Sequence, residues 1–230
     1  MKKIISFLTF ILMAIFTGFI FAAVLGVNPI ITVGAVIGLG AIPMPFLSGA
    51  IMFNWASLTW ADGTKNMGGL KTIGYFIAVD DCTTIPTLPG SPATAEEEVT
   101  LEGDFDVGDN NFFKLYSTQE TSEVMDENQG DLDGQSFIHK AEIFYPGTSA
   151  EALAFAAAVN NSNMIFIFEE STGQRRVIGS EAFPAKCKPS FTTGKATADR
   201  KGMTMEITSY GYTPAPLYTG KIKLADETIS

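Results

Sequence analysis

The sequence predicts a mainly β protein: a β-rich domain with one α-helix, preceded by an apolar, helix-compatible N-terminal arm. Three observations predict it. Residues 71–80, 136–145, 164–169 and 203–210 are runs of β-branched and aromatic residues bounded by glycine, proline and polar turns. Only one stretch, residues 150–160, reads as a helix. No charged residue occurs from Ile4 to Ala61, whereas the chain from Asp62 onward has the composition of an ordinary water-soluble domain. We therefore divide the chain into an apolar arm or signal-anchor region, 1–61, and a β-rich assembly domain, 62–230.

In the arm, Lys2 and Lys3 precede a long apolar run, the pattern of a signal sequence or signal anchor. Residues 4–26 are long enough to cross a bilayer as a helix. A second apolar run, 30–53, is interrupted by Pro43 and Pro45 and contains Gly34 and Gly38 at a spacing that lets helices approach closely in lipid. Two readings follow: a single cleavable or anchoring helix trailed by an apolar arm, or a two-helix membrane hairpin. Either gives membrane contact through residues 4–53. Trp55 and Trp60 suit a membrane interface equally as well as a cap on the following core.

The domain opens with the strand 71–80. A proline-rich loop, 83–95, leads into an acidic block, 96–134, in which Lys114 is the sole basic residue. Within the block, Val99, Leu101, Phe105 and Val107 alternate with Glu102, Asp104 and Asp106, which predicts a strand with one wet acidic face. Residues 112–117 are its expected return strand, and 118–134 an exposed mobile loop. After the strand 136–145, Thr148 and Glu151 form a capping box for an alanine-rich helix, with Leu153, Phe155 and Val159 as its larger apolar contacts. Residues 164–169 form a buried strand, 175–183 another. Lys186, Lys188, Lys195, Arg200 and Lys201 belong to a long basic hairpin loop before the strand 203–210. Residues 212–218, carrying Pro214 and Pro216, form an extended exit.

Few residues offer chemistry. The single histidine, His139, lies within a strand beside Lys140 and reads as a strand histidine rather than a catalytic base. Cys82 and Cys187 lack metal-ligand spacing and read either as a disulfide of an exported protein or as two small buried hydrophobes. Asp126 and Asp131 fail the glycine spacing of a calcium loop. No phosphate-binding loop is present. We expect no catalytic, cofactor-binding or metal residues and no enzymatic activity. A formal net charge of -10 argues against tight nucleic-acid binding. The separation of acidic block from basic hairpin favours head-to-tail pairing of identical copies.

From about Gly69 to Tyr218 the chain resembles the virion structural proteins of tailed bacteriophages and prophages, most nearly a tail tube protein. Residues 66–86 look like the opening strand of such proteins, 147–161 like their single helix between two strands, and 175–218 like their closing hairpin. The resemblance implies a β-sandwich or small barrel flanked by one α-helix, with subunits forming stacked hexameric rings in the virion tail. Their partners would be copies of the same chain and other virion proteins, and DNA would pass through the lumen without tight binding. It points to Glu98, Glu102, Asp104 and Asp106 as candidate lumen-facing residues and to Lys186, Lys188, Lys195, Arg200 and Lys201 as a candidate inter-subunit surface. The apolar arm departs from this family and fits transient host membrane association. The alternative is a membrane-anchored or exported β-domain that binds a ligand or partner at a cell surface.

Overall fold

The computed structural model describes residues 56–225. The apolar arm, its two helical readings and Trp55 lie outside the described residues. No helix among the described residues is long and apolar enough to cross a membrane.

Eight strands form two four-stranded antiparallel sheets. The first sheet has the order β2-β1-β5-β6, built from β1 (Ile73–Ala78), β2 (Phe113–Tyr116), β5 (Met164–Glu169) and β6 (Arg175–Ile178). The second has the order β3-β4-β8-β7, from β3 (Glu123–Gln129), β4 (Ser136–Pro146), β7 (Lys186–Thr192) and β8 (Gly202–Gly211). Among the described residues one α-helix, α1 (Ala150–Val159), connects the second sheet back to the first. The architecture is a sandwich, mainly β as the sequence predicts.

The two faces of β5 explain why its sequence is apolar throughout. Phe166 and Phe168 belong to one core cluster with Ile143 of β4, Met205 and Ile207 of β8 and Val159 of α1. Ile165 and Ile167 belong to a second, with Ile77, Phe105, Phe112 and Tyr218. The first sheet is therefore covered on both faces, and a doubly covered strand has no polar face to alternate with. The second sheet is covered on one face only. Ala141, Ile143, Met203, Met205 and Ile207 point inward, while Glu142 and Glu206 are exposed, giving clean alternation.

Several local expectations are corrected. Residues 99–107 do not form a regular strand. The segment makes only isolated bridges, Thr100 to Leu217, Glu102 to Thr87 and Asp106 to Thr84. Gly103 sits at φ +93°, outside the extended region, and breaks the ladder. The alternation still sorts burial correctly at Phe105 and Val107, because an irregular extended segment also sends successive side chains to opposite sides. Residues 113–116 accordingly pair with β1 rather than with this segment. The expected mobile loop 118–134 contains β3, whose seven residues pair with β4 from Glu123–Glu142 to Gln129–Ser136. The tight turn after it uses Gly130 at φ +99°, with Asp131 and Asp133 exposed.

Helix α1 is capped by Ser149, not Thr148. Ser149 Oγ accepts from Ala152 N at 3.3 Å and donates to Glu151, so the expected Thr148–Glu151 box does not form. Ala152, Ala156 and Val159 face the core, and Phe155 meets Phe76 edge-on at 5.1 Å. Leu153 is instead half exposed, one position off that stripe. The predicted strand 175–183 stops at Ile178. Residues 212–218 do not leave the domain: Val177 N donates to Pro216 O at 3.0 Å, Leu217 N to Val99 O at 2.8 Å and Tyr218 N to Arg175 O at 3.0 Å.

Cys82 and Cys187 are free thiols and belong to different core clusters, so they act as small hydrophobes. Burial pushes the Cys187 thiol up to about 12 and, with Asp81 nearby adding to the effect, the Cys82 thiol up to about 11, from an ordinary 9.0. A raised folded-state value favours the protonated thiol, so this contribution is fully present below pH 9 and lost as pH rises from 9 toward 12. We expect urea midpoints to fall across that window and the fall to be shallower in Cys187→Ala. An identical slope in the variant would remove Cys187 as a cause.

Candidate functional site

At one end of the sandwich the inner face of the second sheet turns polar. The register places Asp126 of β3 opposite His139 of β4, and His139 opposite Ser209 of β8. All three continue the inward-facing rows, and His139 and Ser209 are almost fully buried, at 4 % and 1 % exposure. An Asp–His–Ser row invites comparison with a nucleophile system, which needs base and nucleophile hydrogen-bonded to each other. The hydrogen bonds run elsewhere. His139 Nε2 lies 2.8 Å from Thr213 O, Ser209 Oγ donates to Phe183 O at 2.8 Å, and Asp126 Oδ1 accepts from Ala215 N at 3.0 Å.

Each of these bonds fastens a loop to the sheet. Arg176 of β6 adds to them: its Nε donates to Glu170 at 2.8 Å, its Nη1 donates to Ala215 O at 3.2 Å, and the same nitrogen lies 3.9 Å from Asp126. The polar row thus ties the loop 179–183 and the segment 212–216 across the end of the sandwich. Because Thr213 O can only accept, His139 Nε2 carries the proton, and the buried Nδ1 is left without a partner. Glycine permits this close packing. A Cβ added at Gly211 would lie 2.7 Å from His139 Cε1, and one at Gly179, already at φ +104°, would lie 2.6 Å from Met164 O.

Beneath these loops is a cavity of about 610 Å³, within the range of small-ligand and side-chain pockets. Its walls are chiefly carbon, from Ile85, Leu101, Phe105, Val177 and Phe183, with His139 and Ser209 at the sheet. Its lining includes the exposed residues Phe183, 39 %, and Tyr212, 81 %, whose rings meet edge-on at 6.1 Å. Among the described residues no cluster of three or more His, Cys, Asp or Glu side chains is placed to hold a metal ion.

No family model matches this chain, no curated protein matches it, and no solved structure matches it. Its chemistry is therefore read from its own geometry.

The sequence-predicted charged residues divide into two groups. Glu102, Asp104 and Asp106 are exposed, on a ribbon held down by Phe105 and Val107, and Glu98 is partly covered on the short 3-10 turn Glu97–Val99. Asp104 has local work: its Oδ1 accepts from Lys221 N at 3.1 Å and from Tyr218 Oη at 3.5 Å, fixing the C-terminal segment. Asp106 caps the following turn through Gly108 N at 3.0 Å. The five basic residues do not share one loop, which corrects that expectation. Lys186 and Lys188 stand on β7, while Lys195, Arg200 and Lys201 occupy the β7–β8 hairpin loop. Lys186 Nζ is held by Asn163 Oδ1 at 2.7 Å and Asn161 O at 3.0 Å, and Arg200 stacks 4.4 Å above the Phe144 ring. Lys188, Lys195 and Lys201 are exposed and have no ion-pair partner among the described residues.

Sequence reasoning missed the cavity and its rim. Its walls come from separate segments between residues 85 and 216, and only the fold brings them together.

Proposed function

We propose that this chain is a structural subunit of a tailed-phage virion, specifically a tail tube protein whose copies form stacked hexameric rings around a DNA-conducting lumen. The observation that carries the reading is the segregation of exposed charge on a sandwich with open sheet edges. Glu102 and Asp106 present acid on one ribbon, while Lys188, Lys195 and Lys201 present base on an edge strand and its hairpin. Opposite patches on one subunit suit head-to-tail contacts, which close into rings or extend into filaments. An acidic lumen would repel the DNA backbone and let it slide. The two-sheet sandwich, with one α-helix among the described residues, agrees with what the resemblance implies. In this reading the chain is non-enzymatic, its location is the virion tail, and residues 4–53 contact the host membrane before assembly.

The cavity favours a second reading, a membrane-anchored or exported β-domain that binds a ligand or partner at a cell surface. Sedimentation of the purified full chain separates the two. A tube subunit is expected to shift into large species as concentration rises, and to return to small ones at high salt as the charged contacts are screened. A monomer at every concentration rejects the tube and leaves the binding domain.

A further inference from the structure

The cavity has a chemistry set by which of its polar atoms are already engaged. At the sheet, Ser209 Oγ donates to Phe183 O and His139 Nε2 donates to Thr213 O, both at 2.8 Å. His139 lines the cavity, is 4 % exposed, and its Nδ1 has no partner. Among the described residues of the lining, no other has a buried side-chain nitrogen or oxygen in that state. With the proton on Nε2, Nδ1 is an acceptor. A desolvated acceptor left unpaired is unfavourable, so a molecule that donates one hydrogen bond here gains what the empty protein forgoes.

The walls select the rest of the ligand. Ile85, Leu101, Phe105, Val177 and Phe183 present carbon. Glu181 is the one formally charged side chain in the lining, and it is exposed. An anion would meet that carboxylate and no cation. An ammonium carried down to the sheet would find no free counter-charge, because Asp126, opposite His139, already accepts from Ala215 N and lies 3.9 Å from Arg176.

We propose that the cavity binds a neutral, largely apolar alcohol or phenol, whose hydroxyl donates to His139 Nδ1 while its hydrocarbon body fills the space lined by Leu101, Phe105 and Phe183. The ligand class rests on the ligand-binding reading of the cavity. A volume of about 610 Å³ suits a body of small-molecule size. Nδ1 is shielded in the empty cavity. The outer torsion of a histidine side chain is broad, so a small turn of the imidazole brings Nδ1 to the hydroxyl.

The test titrates the purified full chain, its one histidine isotope-labelled, with para-phenylphenol, its methyl ether and the matched anion para-phenylbenzoate. At neutral pH the phenol keeps its proton, as tyrosine does. We expect the phenol to bind about tenfold more tightly than the ether or the carboxylate. It should also move the Nδ1 nitrogen resonance, which the ether leaves near its free position. An ether or carboxylate that binds as tightly as the phenol overturns the hydroxyl contact and leaves the cavity a ligand site. An Nδ1 resonance unmoved by bound phenol overturns that contact too. Phe183→Ala, at an exposed position, is expected to weaken phenol binding about threefold with unchanged circular dichroism. Unchanged affinity in that variant puts the binding elsewhere and rejects the proposal. Binding by none of the three probes sinks the ligand-binding reading along with it.

Discussion

Phe166→Ala is expected to lower the unfolding free energy by about 3–5 kcal/mol, the range for removing a large side chain from a well-packed core. Phe166 is completely buried at the centre of β5. Its ring stacks 6.1 Å from Phe168 at an interplanar angle of 4° and lies 6.3 Å from Phe76. It belongs to the cluster in which both sheets and the helix meet, so no surface segment can collapse into the space it leaves. Domains are stable by about 5–15 kcal/mol in total, so this loss takes about a fifth of the margin or more. Urea denaturation should show a lower midpoint with an unchanged slope. A loss below about 1 kcal/mol would mean the two sheets do not share this core.

Arg176→Ala is expected to cost about 1.5–3 kcal/mol, the range for hydrogen bonds made by a charged group. The guanidinium, 29 % exposed at the side chain, joins Glu170, Asp126 and Ala215 O, and so links β6, β3 and the closing segment. Without it, the mostly covered carboxylates of Glu170 and Asp126 lose their shared cation. The effect should be local as well as global. Amide exchange at Val177 and Leu217, whose N–H groups donate to Pro216 O and Val99 O, should accelerate more than exchange at Ile207 in the central strand β8. Arg176→Lys should recover less than half of the loss, because one ammonium cannot reproduce the forked contacts. Full rescue by lysine would reduce the role of Arg176 to charge alone.

The contrast between these two residues shows what could be read from the chain before its fold. Phe166 lies in a continuous apolar run, and continuity itself signals a strand covered on both faces. β4 and β8 were equally legible, because one-sided burial stamps a period of two on Ile143, Met203, Met205 and Ile207. β3 was hidden because only one face of an edge strand is partly covered. Its residues Glu123, Asp126 and Glu127 look like loop composition, and their strand conformation comes from pairing with β4. The error at 99–107 has the opposite cause. Burial alternates there, but Gly103 turns the backbone and no neighbour supplies a continuous ladder. The helix was found by its alanines, yet its cap was misplaced by one residue because Thr148 and Ser149 are chemically equivalent and only backbone geometry chooses between them. The cavity could not be read at all. Its polar anchors look like isolated strand residues until the register of β3, β4 and β8 aligns Asp126, His139 and Ser209 in one row.

The same alignment engages His139, Ser209 and Asp126 with loop backbone rather than with one another. Each is committed to a backbone group of the segment it holds, Thr213, Phe183 and Ala215 respectively, which fixes the sheet side of the cavity. Preformed apolar recesses with aromatic rims lose little on binding, since few side chains must be ordered.

The central claim is that this chain builds a tube. Negative-stain electron microscopy of the purified full-length protein at high concentration tests it most directly. The account predicts hollow tubes of uniform diameter with a regular axial repeat of stacked rings. Dispersed monomers, or compact closed particles without a lumen, would contradict it.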